Sequence, residues 1–275
     1  MKLRYLGTAA AEGIPGLFCN CKICQNALKV RGKEIKTRSQ AIVDDTLLID
    51  FPPDTYLHII NYGLDLRQVH HCIITHAHHD HLLAGDFWCR LEGIANDIGE
   101  EPLHVYLTAP GYQKAESALG KASHGARLQF HQIHAFEPFD AGEYHIIPLA
   151  ANHDPTSEPV IFIIEHDDKT ILYANDTGIF PECTWEYLEQ YPKIFDLVSL
   201  DCTAMLLKGW RNSHMGLDTN TEVYERLCSM GRCTAETMAI INHFSHNGLA
   251  THEELVKAAS EYGFAVSYDG LEIEV

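Results

Sequence analysis

Polar and apolar positions alternate from Lys2 to Leu6 and stop at Gly7, which predicts a strand that enters a loop. Two further strand-like runs, 39–43 and 46–50, flank the Asp44-Asp45 turn and predict an antiparallel pair. Phe51-Pro52-Pro53 breaks that pattern, and the apolar spacing of 54–62 predicts a helix capped by Asp54 and stopped near Gly63. An apolar strand over 69–74 runs directly into Thr75-His76-Ala77-His78-His79-Asp80-His81. A helical pattern is expected from Leu82 toward Ile98, a strand over 103–107, a helix over 111–120, and short strands of open register over 127–149.

Later in the chain, 160–165 and 170–175 predict a strand pair around Asp167-Asp168, and 197–201 a buried strand. A helix over 219–231, a strand over 237–241, and a helix over 251–262 with Thr251 and Glu254 forming a capping box complete the pattern. Strands and helices interleave with no low-complexity linker and no tandem repeat, so the expectation is one α/β domain over 1–275, with an N-terminal zinc-binding loop at about 16–38. The 275 residues, 46% hydrophobic, suffice to bury a large core.

Charge then narrows the function. Lys and Arg number 20 against 38 Asp and Glu, a formal net charge of -18, which opposes binding to a nucleic-acid backbone. The start, MKLRYLGTAA, has no apolar signal region, and no apolar run is long enough for a membrane span, so a cytoplasmic location without membrane attachment is expected. The unusual feature is 18 histidines. His76, His78, Asp80 and His81 follow an apolar strand, where α/β sheets place ligand loops, and imidazole with carboxylate suits Zn, Mn or Fe. This is more than one tetrahedral ion takes from a single loop, which implies two ions, His76 and His78 serving one and Asp80 and His81 the other. His79 reads as a bystander. Cys19, Cys21 and Cys24, among nine cysteines in all, form C-x-C-x2-C and read as thiolate ligands of one structural zinc, with His246 as the preferred fourth ligand and Cys228 or Cys233 as the runner-up. Cys72, Cys89, Cys183 and Cys202 are read as small core residues, and His124, His131, His134 and His145 as surface residues.

Thr75-His76-x-His78-x-Asp80-His81 resembles the signature of the metallo-β-lactamase fold superfamily, and the resemblance implies a four-layer αββα sandwich with a dinuclear metal site. Further candidates follow apolar runs in the order that family uses: His153 in Ala151-Asn152-His153-Asp154, Asp176 in Asn175-Asp176-Thr177-Gly178, and His243 in Ile241-Asn242-His243. The resemblance implies that His76, His78 and His153 hold one ion, that Asp80, His81 and His243 hold the other, and that Asp176 bridges them. Two such ions can acidify a shared water to a hydroxide nucleophile and neutralise a phosphoryl or acyl centre, so hydrolysis is the natural reaction.

The N-terminal Cys cluster together with His243-x2-His246 resembles the phosphoribosyl 1,2-cyclic phosphate phosphodiesterases of the carbon–phosphorus lyase pathway. That implies a small cyclic ribose phosphate as substrate, a possible homodimer, and His214 as proton donor to the leaving alkoxide, with Asp80 and His214 as the catalytic residues. Trp210 and Arg211 either bind a substrate base or phosphate or form a packing pair at the rim. Alternatives are a tRNA 3′-processing nuclease, a thioesterase or lactamase, an iron-dependent redox enzyme, and a non-hydrolytic accessory protein of pyrroloquinoline quinone biosynthesis. The acidic charge opposes the nuclease, the Cys cluster is foreign to the thioesterase and lactamase patterns, no flavin or rubredoxin domain follows for a redox enzyme, and the intact donor set opposes the accessory protein.

Overall fold

The computed structural model describes residues 1–120 and 125–275. The strands form two seven-stranded mixed sheets. The first contains β1 (Lys2–Gly7), β2 (Gln40–Val43), β3 (Leu47–Ile49), β4 (His71–Ile73), β5 (Leu103–Leu107), β6 (Leu128–Gln132) and β14 (Glu272–Glu274), in the order β14-β1-β2-β3-β4-β5-β6. The second contains β7 (Phe139–Ala141), β8 (Tyr144–Ala150), β9 (Val160–His166), β10 (Lys169–Ala174), β11 (Leu197–Asp201), β12 (Met238–Asn242) and β13 (Ala265–Val266), in the order β13-β12-β11-β10-β9-β8-β7. Neighbours from β3 to β6 pair in parallel, as do those from β10 to β13.

Alternation along the strands explains the layering. In β1, Leu3 and Tyr5 face the second sheet and pack with Phe162, Ile171 and Tyr173, while Leu6 packs into the outer layer. The outer face of the first sheet is covered by α2 (Thr55–Tyr62) and α3 (Ala109–Leu119). The outer face of the second is covered by α1 (Lys22–Val30), α4 (Glu182–Gln190), α5 (Leu217–Ser229) and α6 (His252–Ser260). The result is the four-layer αββα sandwich. No helix among the described residues is long and apolar enough to cross a membrane.

Several local expectations are corrected. The pattern from Leu82 to Ile98 yields only a 3-10 segment, Ala84–Arg90, because the backbone of Phe51 pairs with His81 and Leu83, and Gly93, Asp97 and Gly99 adopt positive φ. Asp54 precedes α2, but its carboxylate does not cap the helix; it binds the backbone N–H and guanidinium of Arg38. α1 and α4 were not anticipated. Cys89 and Cys183 are exposed, whereas Cys72 and Cys202 are buried as expected. His134 and His145 are exposed, but His131 is half-buried, stacked on His104 with its Nε2 2.8 Å from His104 Nδ1. His124 lies outside the described residues.

Candidate active site

The candidate donors leave the same edge of the sandwich, at the carboxyl ends of strands from both sheets. His76, His78, Asp80 and His81 follow β4, His153 follows β8, Asp176 follows β10 and His243 follows β12. Asp176 and His243, together with Asp50 beyond β3, adopt left-handed φ of 54°, 65° and 66°. Non-glycine residues rarely tolerate that conformation, and it occurs where the surrounding structure enforces it, often at functional sites.

The structure brings His76, His78, His153 and Asp176 into one group and Asp80, His81, His243 and Asp176 into another, each with donor atoms within 4.8 Å of one another. Asp176 belongs to both. The outer nitrogens of these rings are engaged. His81 Nδ1 donates to Asp50 Oδ2 at 2.7 Å, and His78 Nε2 donates to Asp154 Oδ2 at 3.2 Å. His153 Nδ1 donates to the Ser213 carbonyl at 3.2 Å, and His243 Nδ1 donates to Thr203 Oγ1 at 2.8 Å. His76 Nδ1 lies 3.1 Å from Thr75 Oγ1. Such bonds fix the tautomer and turn the remaining lone pairs inward.

The inward nitrogens then oppose each other, His81 Nε2 with His243 Nε2 at 3.3 Å and His153 Nε2 with His78 Nδ1 at 3.1 Å. Buried His76 Nε2 and Asp176 Oδ1 approach Asp176 Oδ2 at 3.3 Å and His214 Nδ1 at 3.1 Å, respectively, but neither contact has the geometry of a hydrogen bond. Facing lone pairs and orphaned donor atoms are costly in a dry interior unless a cation lies among them, so this His/Asp cluster fits divalent metal ions. Burial and the neighbouring His81 lower the pKa of His76 to about 4, so its ring is the neutral ligand form at pH 7. Burial opposes ionisation of Asp176, but the surrounding histidines, His243 first, outweigh it and hold its carboxyl well below the usual range.

His214 stands beside the donors, its ring tilted against that of His153 and stacked on that of His243, at centroid distances of 5.1 and 5.9 Å. Its Nδ1 lies 3.1 Å from Asp176 Oδ1 and 3.3 Å from Asp201 Oδ2. Burial works against its protonation, yet the bonds and charges of Asp176 and Asp201 push its pKa up to about 11. The loop carrying it crosses close over Gly178, where a Cβ would lie 2.3 Å from the Arg211 carbonyl oxygen, so the Asp176-Thr177-Gly178 turn admits only glycine at its third position.

A second cluster, Cys19, Cys21, Cys24 and His246, also has its donor atoms within 4.8 Å of one another. His246 Nδ1 faces Cys19 Sγ at 3.6 Å and Cys21 Sγ at 3.7 Å, whereas Cys228 and Cys233 are not part of the group. The site is tight. A Cβ on Gly16 would meet His246 Nε2 at 2.9 Å. Burial disfavours the Cys21 thiolate, but the backbone N–H groups of Cys24 and Ile23 at the start of α1, with the neighbouring thiols, bring its pKa down to about 7.

Beside the His/Asp cluster opens a pocket of about 310 Å³ whose lining includes His78, Asp80, His153, Asp176, His214 and His243. Trp210 lines it, but Arg211 does not; its guanidinium pairs with Glu222 at 2.8 Å. The bystander His79 is exposed. Sequence reasoning missed Asp50, Asp154 and Asp201, the carboxylates behind the rings. The available signal was an Asp closing an apolar strand, as at 50 and 201.

A profile described as the β-lactamase superfamily domain matches residues 47–259. The chain belongs to the metallo-β-lactamase fold superfamily. It is accordingly a member of a family of metal-dependent hydrolases. Among solved structures, the fold is similar to that of a diphosphatase from the PhnP family, with TM-score 0.75, 21% identity and coverage of 100% of this chain and 97% of that one. It is also similar to Zn(2+)-bound PqqB from Methylobacterium extorquens, with TM-score 0.76, 19% identity and 100% coverage of both chains. The short form of human tRNase Z matches with TM-score 0.64 and 14% identity, covering 100% of this chain and 99% of that one. None of the curated proteins matches the chain by sequence.

Proposed function

We propose that this superfamily member is a phosphodiesterase acting on a small cyclic phosphate such as a cyclic ribose phosphate. In this reading His76, His78 and His153 would hold one divalent ion, Asp80, His81 and His243 a second, with Asp176 common to both groups, while Cys19, Cys21, Cys24 and His246 would hold a structural zinc. The observation that carries the reading is His214. A histidine whose Nδ1 faces two carboxylates, beside a donor cluster and lining the same pocket, is placed to protonate a poorly leaving alkoxide as it departs.

When bound, the two ions would acidify water and offset charge on the phosphoryl oxygens. Every other part belongs to the chain. Asp50, Asp154 and Thr203 hold the ligand rings in one tautomer, and Asp201 keeps His214 oriented and charged. His214 delivers its proton to the oxygen leaving phosphorus. With Asp176 committed to the ions, Asp201 would be the carboxylate left to orient His214.

The fold similarity to the diphosphatase of the PhnP family supports phosphoryl chemistry, and the intact donor set speaks against a purely accessory role like that suggested by similarity to PqqB. The test is hydrolysis of bis(p-nitrophenyl) phosphate by protein reconstituted with Zn, Mn or Fe, with Asp80→Ala in parallel. Metal-dependent turnover that falls by about 10²-fold or more in the variant is expected. No turnover with any of these metals would reject the proposal in favour of thioester hydrolysis or an accessory role.

A further inference from the structure

The pocket is unusual for one that would receive a phosphate ester, because its lining includes no Lys or Arg among the described residues. The basic side chains around it are turned elsewhere. Arg211 pairs with Glu222, Arg38 with Asp54 and the Ala11 carbonyl, and Lys114 Nζ donates to the Ala77 carbonyl at 2.7 Å. Lys208, next to the lining residue Leu207, is exposed and does not line the pocket.

The wall contributed by the N-terminal loop instead presents a carboxylate, Glu12, between apolar Ala10 and Ala11 on one side and Ser245 and Asn247 on the other. Glu12 is fixed there. Its Oε1 accepts from Ser245 Oγ and, at 3.3 Å, from Asn247 Nδ2, and it lies 3.8 Å from His246 Nε2. Both hydrogen bonds fall on Oε1, which leaves the lone pairs of Oε2 for a ligand. Trp210 and Leu207 supply an apolar rim.

Among the described residues, an anionic group entering this pocket finds compensation at the donor cluster and the ions it would hold, and at no Lys or Arg of the lining. A second phosphate, remote from the scissile one, would lose its hydration without gaining a cation and would approach Glu12. A hydroxyl at the same place would donate to Glu12. We infer that the pocket selects a phosphodiester whose single anionic group is the scissile phosphate and whose remainder is neutral and hydroxyl-bearing, with Glu12 as the residue that enforces the choice. This rests on the phosphodiesterase reading above and narrows its substrate class.

The experiment compares kcat/KM of the metal-loaded full chain for ribose 1,2-cyclic phosphate and for the same sugar bearing a 5-phosphate, with bis(p-nitrophenyl) phosphate as a control. Wild-type protein is expected to prefer the unphosphorylated sugar by about tenfold or more, a discrimination that one unpaired or repelled polar group readily supplies. Glu12→Gln keeps the acceptor for Ser245 but removes the charge, and is expected to narrow the ratio severalfold through faster turnover of the 5-phosphorylated sugar. Equal or better wild-type turnover of the 5-phosphorylated sugar overturns the inference, as does an unchanged ratio in the variant. If E12Q does not fold, the wild-type ratio decides alone. Turnover of the chromogenic diester with reversed sugar preference sinks only the pocket inference. Absence of turnover on all three compounds removes the phosphodiesterase reading and this inference with it.

Discussion

Asp201 closes β11 with both carboxylate oxygens committed. Oδ1 accepts from the backbone N–H groups of Thr203 at 3.1 Å and Met215 at 2.8 Å. Oδ2 accepts from Thr203 Oγ1 at 2.8 Å and faces Nδ1 of both His214 and His243 at 3.3 Å. One buried carboxylate therefore faces both a ring of the donor cluster and the proposed proton donor. Asp201→Asn should reduce kcat for a phosphodiester by about 10²-fold, in the range of a lost general acid. Because His214 would lose the partner that raises its pKa, the alkaline limb of the kcat–pH profile should move down by about one unit or more. A variant with lower kcat and an unmoved limb would reduce Asp201 to a packing role. The donors themselves were legible because ligand chemistry restricts residue type and strand ends restrict position, as in the run from His76 to His81. Asp50, Asp154 and Asp201 were not, since an isolated Asp is an ordinary loop residue until folding sets it behind a ring.

Helix α2 shows why elements are read less completely than sites. Its periodicity predicts the helix that is found, yet Thr55 and His58 are its buried side chains while Tyr56 and Ile60 stand 72% and 62% exposed. The polar face turns inward because β2 offers it partners. Gln40 Nε2 donates to Thr55 Oγ1 at 3.0 Å, and His58 Nδ1 donates to Gln40 Oε1. An apolar pattern reports that one face differs from the other, and only tertiary partners decide which face is buried. The 82–98 segment failed for a related reason, its apolar spacing being spent on a 3-10 turn pinned by Phe51. α1 escaped because its start coincides with the thiol cluster.

Burial of His58 lowers its pKa to about 4 despite the opposing charge of Asp54. Between pH 6.5 and 4 the unfolded chain takes up a proton that the folded site refuses, so stability falls as pH falls through this window, by up to about 3 kcal/mol from this residue. Urea unfolding at stepped pH should therefore show a shallower decline in His58→Gln than in wild type. Equal slopes would mean that His58 is not held neutral.

At the scale of the molecule, the two sheets could be anticipated only as a layered α/β sandwich. Their order could not, because the edge strands β13 and β14 are too short to carry a pattern and β14 pairs with β1 from the other end of the chain. The packing of the two sheets matters to the site, since His76 to His81 come from the first sheet and His153, Asp176 and His243 from the second. The donor cluster thus sits across the seam, and an ion bound there joins the halves and stabilises only the folded state. At a free ion concentration about 100-fold above Kd this linkage contributes about 2.7 kcal/mol per site. For a chain of this length that corresponds to a rise in Tm of roughly 5–10 °C. Calorimetry of chelated protein titrated with Zn or Mn should show that rise and its saturation. Asp176→Asn removes the shared charge while leaving the Cys19, Cys21, Cys24 and His246 cluster intact, so its metal-induced shift should shrink to what the cysteine cluster alone supplies. If wild type and variant shift equally, the ions stabilise the N-terminal loop and not the seam, and the convergence of donors from both sheets would not be a metal centre.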